Sequence, residues 1–412
     1  MPVSTTTIAT RAAALAQLDA FLPRAGRDYA EQRNYVRPPA HAHVSGLSPW
    51  VQKRLILESE ITTAAEARHG FTAAEKFIQE VYWRTYWKGW LEQRPAAWTR
   101  YTAVVPRLRD SLAAEALSVY EAAIAGRTDL ACFNTWVAEL AATGWLHNHA
   151  RMWFASIWIF TLRLPWELGA AFFHQHLLDG DAASNTLSWR WVAGLQTAGK
   201  TYLARADNIS KYQDLPGVGE IAQLDARLAS TAFTLSEEPL PKIVLSPLPA
   251  DWRGPDLASS ARLGLWLHPE DLCPEIGGLA AAPFAGVFAG WPTSLAARAG
   301  WSQPVADWTH SALTDGVRRT RAHFGCPAHT DTCADLAASL VQWTRDERID
   351  AVLAYAPAVG PCQDESRVIA PALAAAGVKL VWLRRAWDSA LWPQAARGYF
   401  PFWEAVKKAR AA

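Results

Sequence analysis

The sequence lacks long hydrophobic runs, paired cysteines and a secretion signal, and each absence excludes a class of protein. Its most apolar stretch, Met152–Leu162, is followed at once by Arg163 and is too short to span a bilayer. The five cysteines are scattered without a CxxC pair, which argues against a zinc or iron–sulfur site and is typical of a reducing compartment. The N-terminus lacks the basic and apolar segments of a signal peptide. We therefore expect a cytoplasmic protein with no membrane partner and no metal.

The sequence also lacks an excess of positive or negative charge. The 412 residues carry a formal net charge of +1, so any contact with nucleic acid must come from a local basic patch. No GxGxxG sequence follows a candidate strand, so the dinucleotide-binding fingerprint is absent. Tryptophan, in contrast, is abundant, with 22 residues spread over both halves of the chain.

Sequence patterns divide the chain into two domains. Residues 1–236 read as an all-α domain, and residues 237–412 read as an α/β domain with a mostly parallel, Rossmann-like sheet, because short apolar runs alternate there with helical patterns. The change comes after Pro216–Gly219 and the proline-containing linker Glu237–Pro241. The predicted strands are Lys242–Ser246, Ala261–His268, Gly286–Gly290, Asp350–Tyr355 and Val378–Trp382, and the predicted helices between them are Asp331–Arg348 and Asp364–Ala376.

Polar side chains interrupt very apolar helical sequence between Thr143 and Tyr212. Asn148 and Arg151 are three residues apart and share a helix face, at the start of a segment that is apolar nearly all round. Asp179-Gly180-Asp181 predicts a turn in which Asp181 caps a helix, with Asn185 one turn further on. Such an array would suit a planar heteroaromatic ring, and a buried ion pair beside a cap explains it equally well.

An aromatic stripe marks the predicted helix Ala73–Trp90. Five residues at helical spacing form it: Gln79, Glu80, Trp83, Arg84 and Trp87. Tryptophan at this spacing is most often core, but a carboxylate within such a stripe is costly unless it has a task. Glu80 is therefore a candidate functional residue.

These segments carry a family resemblance. TGWLHNHARM followed by LLDGDAASNTLSWRW resembles the flavin-binding signature of the photolyase/cryptochrome family, TGW-hN-x-x-RM and then hDGD, Asn and two Trp. The resemblance implies FAD as cofactor, with Arg151 and Asp179 paired beside the ring, Asp181 at its pyrimidine edge and Asn185 at N5. The residues that it implies for cofactor binding are Tyr29, Ser45, Leu47, Ser48, Glu80, Trp87, Asn148, Arg151, Asp179, Asp181 and Asn185.

The segment Val44–Trp50 resembles the turn that grips the flavin pyrophosphate in this family. It predicts a helix that begins at Val51, with Ser48 as its cap and Pro49 in the first turn. Val44 and Gly46 depart from the family's usual residues, which predicts a weaker phosphate grip.

The family chemistry implied is a light-driven carbon–carbon lyase reaction, in which excited reduced FAD splits a cyclobutane pyrimidine dimer flipped out of single- or double-stranded DNA. The implied catalytic residues are Glu80, Trp83, Met152, Asn185 and Trp191, and Trp189 and Trp166 match the first two positions of an electron-transfer relay. The third relay tryptophan has no counterpart, and Trp158, Trp98 and Trp136 remain open as substitutes. The predicted DNA contacts are Arg33, Arg84, His149, Lys200 and Arg205.

The C-terminal half, from Ile349 through GYFPFWEAVKKA, is similar to the antenna domain of photolyases. That domain precedes the helical domain in the family, so the chain reads as a circular permutation. No motif for an antenna chromophore is present, and whether one binds stays open. We expect a monomer.

Two further readings stay open. A cryptochrome-like blue-light receptor would photoreduce FAD and signal to a partner, which the sequence does not identify. It is favoured by His149, where repair enzymes usually carry arginine, and by the neutral charge. A helical scaffold without flavin is the third reading.

Overall fold

The computed structural model describes residues 8–38, 41–197, 199–213, 221–254, 257–292 and 294–411. The predicted break at Pro216–Gly219 lies outside these ranges. The first half of the described chain is helical, as predicted. Its helices are α1 Arg11–Phe21, α2 Arg27–Gln32, α3 Ser48–Gln52, α4 Glu58–His69, α5 Phe71–Glu92, α6 Ala96–Asp110, α7 Ala114–Ile124, α8 Ala131–Thr143, α9 Asn148–Ser156, α10 Trp166–His176, α11 Ala182–Val192, α12 Ala206–Tyr212 and α13 Ile221–Arg227. A π-helical segment, Ile157–Thr161, continues α9.

The first turn of α3 differs from its prediction. Ser48 is the first helical residue and not the cap, a position that Leu47 occupies, and the helix ends after little more than one turn at Gln52. Pro49 fits the first turn because its missing N–H would have no partner there. Arg54 follows with a left-handed φ of 50°, which no helix can continue.

The second half contains a five-stranded, fully parallel sheet in its described residues, in the order β3-β2-β1-β4-β5. The predicted mixture of strands and helices is confirmed. The elements are β1 Leu263–Leu267, β2 Phe284–Pro292, α14 Ser294–Arg298, α15 Gln303–Phe324, β3 Ala328–Cys333, α16 Leu336–Asp346, β4 Ala351–Tyr355, α17 Pro361–Ser366, α18 Ile369–Ala375, β5 Lys379–Leu383, α19 Ala386–Leu391 and α20 Tyr399–Ala411. Helices α16 and α18 cover one face of the sheet, and α15 covers the other.

Four of the predicted strands are confirmed as β1, β2, β4 and β5, whereas Lys242–Ser246 is not a strand. Val244 is 94% exposed, and prolines on both sides of the segment remove the N–H groups that a sheet would need. The predicted helix Asp331–Arg348 begins only at Leu336, where Asp335 caps it by accepting a 3.0 Å bond from the Ala338 N–H. The residues before it form the polar edge strand β3, which has no apolar alternation to reveal it.

The two halves meet through a buried cluster of charges. Arg54, from the helical half, donates to Asp271 at 3.2 Å and to Asp388 at 2.6 Å. Arg385 makes a bidentate contact with Asp271, at 2.7 and 2.5 Å. Helix α20 also returns to pack on α5. The predicted boundary at residue 236/237 falls in the segment between α13 and β1 and stays a prediction.

Glu92, at the end of α5, provides a pH-dependent link between the halves. Its buried carboxylate accepts a 2.6 Å bond from the Val359 N–H, and burial raises the pKa of Glu92 from 4.5 to about 7. The folded protein therefore holds this proton more tightly than the unfolded chain, and stability is lost as the pH rises from 4.5 to 7. We expect Glu92→Gln to be more stable than the parent by about 1–3 kcal/mol at pH 8 and to differ little below pH 5. Urea unfolding at both pH values measures this, and an equal difference at both would contradict it.

Candidate polar site on α5, α9 and α11

The turn after α8 brings Arg151 and Asp179 together. Gly144 ends α8 in the left-handed conformation, at φ 66°, and its carbonyl accepts a 2.8 Å bond from the Leu178 N–H. The turn after α10 is thereby fixed beside the start of α9. Arg151 donates from Nη2 to Asp179 Oδ2 at 3.0 Å, as predicted, and from Nε to the Leu146 carbonyl at 2.8 Å.

The charge of Asp179 is maintained despite its burial. Loss of water would raise its pKa, but the guanidinium groups of Arg151 and Arg84 outweigh this effect, and the Ser48 hydroxyl adds to theirs, so the pKa lies below its ordinary value. Ser48 is the residue of the predicted phosphate turn that the fold places beside this carboxylate. Asp179 Oδ1 is buried, and apart from the nearby Ser48 hydroxyl no group of the described chain is placed to donate a hydrogen bond to it.

Asp181 caps α11, as predicted, by accepting a 2.8 Å bond from the Ser184 N–H at Oδ1. Its other oxygen contacts Arg84 Nη1 and Lys88 Nζ, both at 3.2 Å. Arg84 and Lys88 are four residues apart on α5 and so share a face. Burial alone would raise the pKa of Asp181, but these two cations hold it well below its ordinary range.

Asn185 and Trp189 lie deeper in α11 than the charged groups. The Asn185 amide donates to the Ala170 carbonyl at 2.7 Å. Trp189 is 2% exposed, and a Cβ on Gly169 would come within 2.3 Å of its ring, so a side chain at 169 would displace the indole. Its ring meets that of Trp158 edge to face, with centroids 6.2 Å apart.

The exposed side of α5 carries Glu80 and Trp83. Glu80 forms an ion pair with Arg33, and its pKa is raised because its burial outweighs the attraction of that arginine. The rings of Trp83 and Tyr399, the first residue of α20, are stacked with centroids 3.5 Å apart and planes 7° apart. Trp87 lies behind Trp83 at 5.2 Å and is buried.

Comparison with known proteins finds similarity in the part of the chain that carries this site. Residues 77–215 match the family model described as the FAD binding domain of DNA photolyase. The helical domain also resembles deoxyribodipyrimidine photo-lyases from Streptomyces griseus, at 31% identity over 43% of this chain and 40% of the relative, and from a Synechococcus species, at 33% identity over 44% and 38%. These matches support membership of the photolyase/cryptochrome family for the part of the chain that they cover.

The likeness is partial in length. The chain spans about two fifths of the photo-lyases that it matches. A bacterial class III photolyase from Agrobacterium tumefaciens has 26% identity over 49% of this chain and 42% of its own, with a TM-score of 0.42. A TM-score this low adds no argument.

The residues present fit the FAD of this family. The cations Arg84, Lys88 and Arg151 surround the buried carboxylates Asp179 and Asp181, and Glu270 is a further carboxylate near Lys88. Asp179 Oδ1 lacks a well-formed hydrogen bond, and buried polar atoms are rarely left unpaired. A cofactor with heterocyclic and ribityl donors would complete the hydrogen bonds of Asp179, and the three cations suit its pyrophosphate.

The other predicted cofactor contacts differ in their surroundings. Tyr29 is buried against Phe21 and Phe77, and burial raises its pKa. Leu47 is buried, and the Ser45 hydroxyl accepts a weak 3.4 Å bond from its N–H. Asn148 is exposed at the first position of α9.

Several predicted DNA contacts are engaged within the protein. Arg84 and Arg33 are paired with Asp181 and Glu80, as described above. His149 stacks on Trp153 at 4.2 Å, its Nδ1 lies 2.9 Å from the Asn34 carbonyl oxygen, and burial lowers its pKa. Lys200 and Arg205 are exposed in the segment between α11 and α12, where Arg205 caps α12 and pairs with Asp207.

The tryptophans considered for the relay have different ring neighbours, and the order Trp189 and then Trp166 stays a prediction. Trp166 stacks on Tyr101, with ring centroids 5.9 Å apart. The Arg190 guanidinium carbon lies over the Trp166 ring, 5.9 Å from its centroid. Trp158, which the sequence left as one of three substitutes, is the tryptophan whose ring contacts Trp189. Trp136 instead stacks on Trp153.

Sequence reasoning missed Lys88 and Tyr399. The spacing of four residues from Arg84 could have pointed to Lys88. Nothing in the sequence indicates that Tyr399, more than three hundred residues along the chain, covers Trp83.

Proposed function

We propose that this protein is a light-driven photolyase that binds DNA containing cyclobutane pyrimidine dimers and splits the dimers. Bound FAD would supply light absorption and the electron that the lesion borrows and returns. The relatives named deoxyribodipyrimidine photo-lyase support this proposal, although they match less than half of the chain.

The observation that carries the proposal is the layering of the site. Glu80, Trp83, Met152 and Trp191 are all partly exposed, on helices that the buried Arg84–Asp181 and Arg151–Asp179 pairs hold together. Asn185 and Trp189 are buried beneath them. Partly exposed aromatic and apolar groups over a buried polar cradle suit a flipped-out base on one side and a flavin on the other.

The side chains have separate roles in this proposal. Trp83, Met152 and Trp191 would receive the extruded bases and exclude water from them. Glu80, whose raised pKa favours its protonated form more than usual, would hydrogen-bond the dimer. Arg151 and Asp179 would orient the cofactor, and Asn185 would present its amide to the flavin ring.

The test is illumination of reduced protein with dimer-containing single-stranded and duplex DNA under blue light, beside a dark control. The account predicts loss of dimers in the light only. Glu80→Gln should retain FAD and repair about tenfold more slowly, since an amide cannot share an acidic proton with the dimer as the carboxyl group does. Glu115→Gln, exposed on α7, is the matched control and should repair like the parent. No loss of dimers in the parent would reject the repair function.

A cryptochrome-like photoreceptor is the second candidate. His149 favours it, because burial lowers the pKa of this histidine and leaves the imidazole neutral at pH 7, where repair enzymes usually carry a cation. Photoreduction of FAD without dimer loss would support this function.

Three features remain proposals. The order of the domains is consistent with a circular permutation of the family layout. No helix in the described ranges is long and apolar enough to cross a membrane. We also propose a cytoplasmic location and a monomeric state.

A further inference from the structure

The segment Ala396–Phe400, which leads into α20, is anchored on the exposed face of α5. Tyr399 donates from its hydroxyl to the Gln79 carbonyl at 2.7 Å, and Tyr86 donates to the Arg397 carbonyl at 2.8 Å. Arg94 donates to the Ala396 carbonyl at 2.9 Å. Together with the stack of Tyr399 on Trp83, these bonds fix a piece of the C-terminal half at the rim of the site that carries Trp83 and Glu80.

This rim presents an aromatic ring to solvent. Phe400 is 74% exposed in the first turn of α20, although its neighbours Tyr399 and Phe402 are buried. A Cβ on Gly398, two residues earlier, would meet nothing within 4 Å, so the chain there is also open to solvent. Arg397, three residues before Phe400, is also exposed, and its guanidinium forms no ion pair within the described part of the chain. An exposed aromatic ring next to an unpaired cation is the combination that stacks on a base and contacts a phosphate.

We propose that Arg397 and Phe400 form the DNA-facing rim of the lesion site, with Phe400 filling the gap that a flipped-out dimer leaves in the duplex. This inference rests on the proposed repair function. Extrusion of two bases interrupts the stack, and proteins that distort DNA fill such gaps with apolar side chains. Tyr399 is a positioning residue, because its stack and hydrogen bond set where Phe400 stands relative to Trp83.

A second copy of the chain is a poorer occupant for this surface. Phe400 is flanked by an open glycine and a charged arginine, whereas an interface between proteins needs a contiguous apolar patch. Phosphate and base chemistry accounts for both the charge and the ring. Self-association is therefore an alternative for the experiment to detect.

The experiment uses the full chain with bound FAD and a duplex that carries one thymine dimer opposite 2-aminopurine, whose fluorescence rises when its neighbours unstack. The parent should bind this duplex more tightly than the undamaged one and raise the signal. Phe400→Ala should bind it about tenfold more weakly with most of the signal lost, while Phe400→Trp should retain both. Val368→Ala, a change at another exposed hydrophobic residue, is the control and should match the parent. Arg397→Gln should lower the slope of the logarithm of the binding constant against the logarithm of the salt concentration by about one, which corresponds to one phosphate contact.

The outcomes separate the two proposals. Parent-like affinity and signal in Phe400→Ala, with dimer preference intact in the parent, would overturn the rim and leave the repair function standing. The rim proposal would also be overturned if Phe400→Ala lost only concentration-dependent self-association, measured by sedimentation, and kept its DNA binding. Absence of dimer preference in the parent would reject both. Urea unfolding of each variant shows whether a loss of binding comes from misfolding. If Phe400→Ala is misfolded, DNA binding by Phe400→Trp and the salt dependence of Arg397→Gln test the rim proposal instead.

Discussion

Asp179→Asn is expected to weaken FAD binding by about a hundredfold. The substitution removes the charge that Arg151 meets at 3.0 Å, and Asp179 lies where water cannot replace it. Breaking a buried pair by removing one partner costs about 3–5 kcal/mol, and each 1.4 kcal/mol corresponds to about tenfold in affinity. Arg151 keeps some solvent contact, so the lower end of this range applies.

Titration of the apoprotein with FAD, followed by flavin fluorescence, measures the effect. Asp207→Asn is the matched control, because Asp207 is also paired with an arginine but is exposed on α12, and it should bind FAD like the parent. Urea unfolding without FAD checks that the variant is folded. Unchanged FAD affinity in a folded Asp179→Asn would remove this pair from the cofactor site.

Trp189→Phe is expected to slow photoreduction of bound FAD by about a hundredfold, while chemical reduction in the dark stays normal. Trp189 is the buried indole of α11 below Asn185, and phenylalanine is much harder to oxidise than tryptophan. The substitution keeps an aromatic ring over Gly169, so FAD should still bind. Steady illumination with an external electron donor, followed by absorption, gives the rate.

The same assay identifies the second relay member. Trp158, in ring contact with Trp189, is expected to matter more than Trp166, which the family pattern favoured. Trp158→Phe should therefore slow photoreduction by about tenfold or more, and Trp166→Phe by less. Trp136→Phe, equally buried but stacked on Trp153, controls for the loss of a core indole. A larger effect at Trp166 would restore the order that the sequence predicts.

Local signals in the sequence predicted most of what is local in the fold. The cap at Asp181, the long helix α5 and four of the strands each depend on residues within a few positions of one another. The Arg151–Asp179 pair came from a gapped family pattern, which carries long-range information that composition and periodicity do not.

The remaining contacts could not be predicted because they join distant segments. The sequence predicts that Arg84 contacts DNA, whereas in the structure its guanidinium lies 3.2 Å from the Asp181 carboxylate. Nothing in the sequence relates Tyr399 to Trp83, although their rings are stacked. Strand β3 and the segment Lys242–Ser246 were misread for a related reason. A polar edge strand needs only one neighbour, and an apolar run beside prolines need not join a sheet.

Equilibrium titration of the purified chain with FAD decides whether Arg151, Asp179 and Asp181 form a flavin-binding cradle. We expect one FAD per chain, bound with the visible absorption bands of a flavin in a structured site and lost in Asp179→Asn but not in Asp207→Asn. A folded chain that takes up no FAD, or that binds it equally well in both variants, would contradict it.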